Sequence, residues 1–194
     1  LKIITTKQWG AKPVDNSRLS WSPAEGVIIH HTAGANAWPL PLAFLERQRC
    51  FRVARAIQKD HIDRGWSDSG HHFLVTRSGL ILEGRQGTLN AAQLHSQVIQ
   101  GAHAGVTHVN RTCWGIECEG RYTKGPMPER QMLALVELCA HLCCWGELQT
   151  SETISGHRDV KATECPGDWL YQMLPGLRSM VHHRKWDLMS ENDK

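Results

Sequence analysis

Short apolar runs separated by long amphipathic stretches set the pattern of this chain. Val27-Ile28-Ile29 is apolar and β-branched and leads directly into His30-His31, which predicts a buried strand ending at His30. Pro39 and Pro41 precede a stretch with Cys50, Val53, Ala54 and Ile57 at helical spacing, predicting a long helix that reaches about Asp60. Arg47, Arg49, Arg52 and Arg55 fall on its other faces and read as solvated surface. His72 to Thr76 and Leu80 to Gly84 flank Arg77-Ser78-Gly79, a hairpin with glycine in its turn. Trp114 to Glu119 is a further core strand. Pro128 opens a second long helix with the stripe Met132, Leu135, Val136, Cys139, Leu142 and Cys143, and Gly146 stops it. A third helical region follows Gly167, with Leu170, Met173, Leu174, Leu177 and Val181 inward and Pro175 expected to kink or restart it.

Between these elements the pattern fades. Residues 1–26 have little periodicity and read as an arm wrapped over the domain. Residues 86–112 are polar without a clean period, and a loop of that length is usually functional or mobile. From His182 the chain is polar and is expected to fray. The order strand, helix, hairpin, strand, helix, helix predicts an α/β fold. It would be a single domain over residues 1–181, a small central mixed sheet flanked by helices, followed by a polar tail at 182–194.

Composition narrows the function without naming it. The 194 residues suffice for one domain with a core. A net charge of +3 is too small to argue for nucleic acid. No run approaches the ~18 apolar residues of a membrane span. No signal peptide is visible, and the start at Leu1 rather than Met is compatible with a leader already removed. Seven cysteines cannot all pair with one another. Cys139, Cys143 and Cys144 share one predicted helix and are expected to be buried thiols. Cys165 stands apart because it sits in a turn.

That turn carries the strongest chemical signal. In Gly156 to Gly167, His157 and Cys165 lie eight residues apart in a segment that Gly156, Pro166 and Gly167 allow to curl. Imidazole nitrogen and thiolate sulfur are common zinc ligands. The third ligand is expected from the His30-His31 pair. Successive side chains on a strand point to opposite faces, so one of the two reaches the metal, and spacing alone leaves open which.

Together these motifs resemble a known family. Val27 to Gly34 looks like the opening motif of the peptidoglycan recognition proteins and the related zinc N-acetylmuramoyl-L-alanine amidases. Gly65-Trp66-Ser67-Asp68 followed by His72-Phe73-Leu74-Val75 is similar to their second motif. Glu83-Gly84-Arg85, Gly101-Ala102-His103, and Gly156-His157-Arg158-Asp159 with Thr163 and Cys165-Pro166-Gly167 complete the set. The match runs in order from about Trp9 to about Arg178. The resemblance implies the fold of these amidases and one Zn2+ held by His30, His157 and Cys165. It implies His71 and Thr163 as catalytic residues, and a substrate groove of His31, Thr32, His61, Arg64, His71 and His103. Three protein ligands leave zinc an open position, as catalytic sites require. The implied reaction is hydrolysis of the amide joining N-acetylmuramic acid to the first L-alanine of a peptidoglycan stem. The implied partner is peptidoglycan or muropeptide, the implied location extracytoplasmic, periplasmic or secreted, and the implied state monomeric.

The departures from the family are specific. His71 stands where relatives usually carry Tyr. Residues 35–37 hold no Cys to pair with Cys50, so a short disulfide common in animal members is expected to be absent. The segment between Arg85 and Gly101 is longer than usual, and Gln86 to Gln100 is expected to border the groove. Gln86-Gly87 replaces a pair that in many relatives reads the stem. Two other readings use the same residues: a module that holds muropeptide without cutting it, and an interaction domain stabilised by a closed zinc site with His31 or His72 as fourth ligand.

Overall fold

The structure, a computed structural model, describes residues 1–149 and 152–192. In chain order its elements are β1 (Ile3–Ile4), α1 (Thr6–Trp9), β2 (Trp21–Pro23), β3 (Gly26–His31), α2 (Ala43–Asp63), β4 (Phe73–Val75) and β5 (Ile81–Glu83). They continue with α3 (Thr88–His95), β6 (Gln97–Ile99), α4 (Thr107–Thr112), β7 (Cys113–Cys118), α5 (Glu129–Trp145), β8 (Ile154–Gly156), α6 (His157–Val160) and α7 (Asp168–Asn192).

A six-stranded mixed sheet with the order β1-β5-β4-β7-β3-β8 forms the middle of the molecule. β3 pairs in parallel with β7 on one side and β8 on the other, and β4 pairs in parallel with β7 but antiparallel with β5. A parallel strand covered on both faces reads as an unbroken apolar run, which is why Val27-Ile28-Ile29 is legible. Alternation then sorts the side chains. Val27 and Ile29 of β3 and Trp114 and Ile116 of β7 enter the larger core with Leu135, Leu138, Leu142, Leu174 and Leu177 of α5 and α7. Leu74 and Leu82 enter the smaller core against Trp9, Phe51 and Ala54 under α2. By the same period of two, His30 and Glu117 fall on the face opposite Ile29 and Ile116, and the parallel register sets them directly side by side.

The α/β expectation holds, and four local expectations do not. Residues 1–26 are no simple arm: β1 extends the sheet beside β5, and Thr5 and Gln8 form a capping box at α1. Residues 86–112 are no loop. They form α3, β6 and α4, and β6 pairs antiparallel with β2 in a second, two-stranded sheet. The apolar residues that these short elements bury are Ala91, Ala92, Val98 and Ile99, too few to establish a period. α7 runs through Pro175 without restarting, held by Leu174 and Leu177 in the core. It also passes residue 181. Arg184 pairs with Glu137 of α5, Lys185 donates to the Leu148 carbonyl and Leu188 packs on the core, so residues 182–192 continue the helix instead of forming a separate tail. The seven cysteines are all unpaired thiols, as expected at Cys50. Among the described residues no helix is long and apolar enough to cross a membrane.

Candidate active site

The C-terminal ends of β3 and β7, the C-terminal end of α2 and the loop after α6 enclose a groove of about 490 Å³. All ten of the residues singled out from the sequence line it: His30, His31, Thr32, His61, Arg64, His71, His103, His157, Thr163 and Cys165. Three of them converge, with one ligand atom each from His30, His157 and Cys165 lying within 4.8 Å of one another. His30 is supplied by rigid β3, and His157 and Cys165 by the curled segment that begins where β8 ends.

Hydrogen bonds select which nitrogen each histidine offers. His103 Nε2 lies 3.1 Å from the Cys113 carbonyl, so that nitrogen donates and Nδ1 is left as an acceptor. His103 Nδ1 in turn lies 3.0 Å from His30 Nε2, which must therefore carry the proton. The free lone pair of His30 is on Nδ1, 3.7 Å from Cys165 Sγ. His157 repeats the device: its Nε2 donates to the Ala104 carbonyl at 3.1 Å, leaving Nδ1 open. Orientation of a ligating imidazole through its second nitrogen is the usual support of a metal site. Burial, followed by the charges of neighbouring histidines, holds His30 well below its ordinary pKa, and burial also lowers His157, so both are neutral and competent to ligate. Burial pushes the Cys165 thiol up to about 11, partly opposed by the His31 N–H 3.4 Å from its sulfur. Coordination to a divalent cation deprotonates a thiol. A nitrogen, nitrogen, sulfur set with both imidazoles pre-oriented fits a zinc ion.

The remaining residues divide into those that face the groove and those that build it. His71 lies beside His30, with ring centroids 4.7 Å apart. Its Nδ1 is 3.0 Å from the Glu117 carboxylate, a close contact without the alignment of a hydrogen bond. Burial raises the Glu117 carboxyl, but His71, then His61 and His31, outweigh burial and hold it below its ordinary value. His31 accepts the Tyr122 N–H on Nδ1 at 3.2 Å. His61 accepts the Gly70 N–H on Nδ1 at 3.0 Å and stacks on Trp66 with ring centroids 4.6 Å apart. Arg64 caps α2 and pairs with Asp60 at 2.6 Å. Thr163 Oγ1 accepts the Cys165 N–H at 3.3 Å, so it also shapes the ligand loop.

Several expectations change at this level. His103 is buried with both ring nitrogens engaged, so it orients His30 and offers no free nitrogen to a substrate. The Thr32 hydroxyl bridges the N–H and carbonyl of Gly120 and is committed to the fold. His72 cannot be a fourth ligand, because Nε2 meets the Ile99 carbonyl and Nδ1 accepts the Gly115 N–H. No residue from Gln86 to Gln100 lines the groove; Gln86 is instead tied to Asp68 and Lys12. Glu117 was missed. Its signal was a carboxylate inside an apolar strand, which is costly unless a partner waits for it.

Residues 20–168 match the model of the N-acetylmuramoyl-L-alanine amidase family. The chain belongs to that family, whose members bind or cleave peptidoglycan. Peptidoglycan recognition protein 1 of Bos indicus is 32% identical over 185 residues, covering 94% of this chain and 86% of the relative. Among solved structures, human PGRP-IBETAC in complex with glycosamyl muramyl pentapeptide superposes with a TM-score of 0.70 at 28% identity, covering 89% of this chain and 93% of that one. The endolysin N-acetylmuramoyl-L-alanine amidase LysCS of Clostridium intestinale gives 0.63 at 26% identity, covering 90% and 93%.

Proposed function

We propose that this protein is a zinc-dependent amidase that cleaves the bond between the lactyl group of N-acetylmuramic acid and the first L-alanine of the stem peptide. The observation that carries the reading is the complete ligand set His30, His157 and Cys165, opening on a groove that holds His71 and Glu117. Zinc, when bound, supplies Lewis acidity, which acidifies an attacking water and polarises a carbonyl.

This chain's own residues do the rest. Glu117, beside His71 Nδ1, favours the tautomer with its proton on that nitrogen and so leaves Nε2 as the basic nitrogen. His71 takes the proton of the attacking water at Nε2 and returns it to the leaving alanine nitrogen as the amide bond breaks. Thr163 donates its hydroxyl to the carbonyl oxygen as charge develops there. His31, His61 and Arg64 hold the muropeptide, with the Arg64 guanidinium suited to a stem carboxylate. Such a reaction belongs where peptidoglycan lies, outside the cytoplasmic membrane.

A second reading keeps the groove and drops the chemistry: a recognition module that binds muropeptide uncut. His71 in the place of the family's Tyr favours it. Mass spectrometry of muropeptides after incubation with the zinc-loaded protein separates the two. Free stem peptides beginning in L-alanine support hydrolysis, and intact muropeptides that nevertheless bind assign recognition.

A further inference from the structure

One feature of the surface has no part in the groove. Trp38, Leu42, Phe44 and Leu45 are 85%, 62%, 70% and 45% exposed, all within eight residues at the start of α2. They project outward, and side chains this exposed do not line a shaped pocket. The charges beside them are one-sided. From Thr32 to Arg55 the cations are Arg47, Arg49, Arg52 and Arg55, and the only carboxylate is Glu46, which is buried against Arg49. Arg47 and Arg52 are exposed and pair with no carboxylate among the described residues. Leu45 and Arg52, seven positions apart on α2, share its outward row. Across a shallow cavity of about 320 Å³, Lys2 faces the same end of the helix as Arg47.

We propose that this face docks the protein on an anionic phospholipid bilayer. Trp, Phe and Leu side chains on a turn enter the interface without needing a complementary cavity. Arg47, Arg52 and Lys2 then sit at the depth of the phosphates. A second copy of the chain is the poorer occupant, because a two-fold contact would set Arg47 and Arg52 against themselves. The groove stays free: His61 lies toward the far end of the same helix, roughly 24 Å along its axis at 1.5 Å per residue.

Cosedimentation of the full chain with vesicles tests the proposal. Vesicles of equal parts phosphatidylglycerol and phosphatidylcholine should retain the protein, and phosphatidylcholine alone should not. Trp38→Ser with Phe44→Ser should weaken retention by ~tenfold or more. Arg47→Gln with Arg52→Gln should weaken it about thirtyfold, the factor that two cations at an anionic surface supply. Thermal melting of each variant should match the parent, since these side chains are exposed. Failure of the anionic vesicles to retain the protein at low salt overturns the proposal. So does equal retention of the variants, or a concentration-dependent dimer that Trp38→Ser with Phe44→Ser abolishes, which would assign the face to a second copy.

Discussion

His30 and His31 are neighbours in sequence with opposite fates. His30 looks inward to a relay that ends on the Cys113 carbonyl, and that relay frees its Nδ1 for the cluster with His157 and Cys165. His31 uses Nδ1 on the Tyr122 backbone and borders the groove. Cys165→Ser should therefore weaken zinc binding and abolish cleavage while the fold persists, because Cys165 lies outside both cores. His31→Ala should keep zinc and weaken muropeptide binding. Measured metal content decides between the two histidines, and zinc lost from His31→Ala but kept in His30→Ala would reverse their roles. At His71 the expected effect is on turnover. Replacement by Phe should lower it by roughly 10²–10⁴, as the loss of an acid–base group does. Tyr should recover more than Phe, and near-normal turnover of the Phe variant would remove His71 from the chemistry.

At the scale of elements, α2 presents His61 to the groove and is tied to the sheet at its other end. Arg49 bonds both Glu46 on its own helix and Glu119 just beyond β7, with all three side chains largely buried. The four arginines of α2 thus are not equivalent: Arg49 is interior, whereas the sequence alone placed it on a solvated face. Arg49→Leu leaves two carboxylates buried without their cation and should cost about 3–5 kcal/mol of stability. Urea denaturation measures it, and a loss near zero would show that the carboxylates find water or other donors. α7 makes a parallel case at the end of the chain, where the pairing of Arg184 with Glu137 turns a polar sequence into a docked helix.

For the whole molecule, the buried ionisable groups predict how stability follows pH. Burial holds His72 down to about 3 from its ordinary 6.5, so it is neutral inside. Burial opposes ionisation of Glu46, but bonds from Arg49 and the Leu40 N–H prevail and bring it to about 2 from 4.5. Both groups bind protons more weakly when folded than unfolded, so each favours the folded state above its unfolded value and loses that contribution as pH falls. His72 acts between 6.5 and about 3, and Glu46 between 4.5 and about 2. Urea midpoints should fall steadily as pH drops through these windows. Glu46→Gln should flatten the lower part of the curve, and an unchanged slope there would rule out the assigned origin.

The sequence by itself determined β3, the two long helices and the pairing of His157 with Cys165 in one turn as ligand candidates, because each is written in local terms: an unbroken β-branched run, a helical stripe, a glycine- and proline-bounded turn. It left the choice between His30 and His31 to the tertiary structure, which brings His30 to the cluster. It also left α3, β6 and the helical continuation past residue 181 unread, since their few buried residues gain partners only from distant segments. Tertiary structure alone decided the rest of the site. Glu117 reaches His71 because β3, β4 and β7 share a register, and His103 orients His30 from 73 residues away. Periodicity reports which face of an element is apolar, whereas a hydrogen-bond relay or a charge partner across strands depends on the register between segments, which no local pattern encodes.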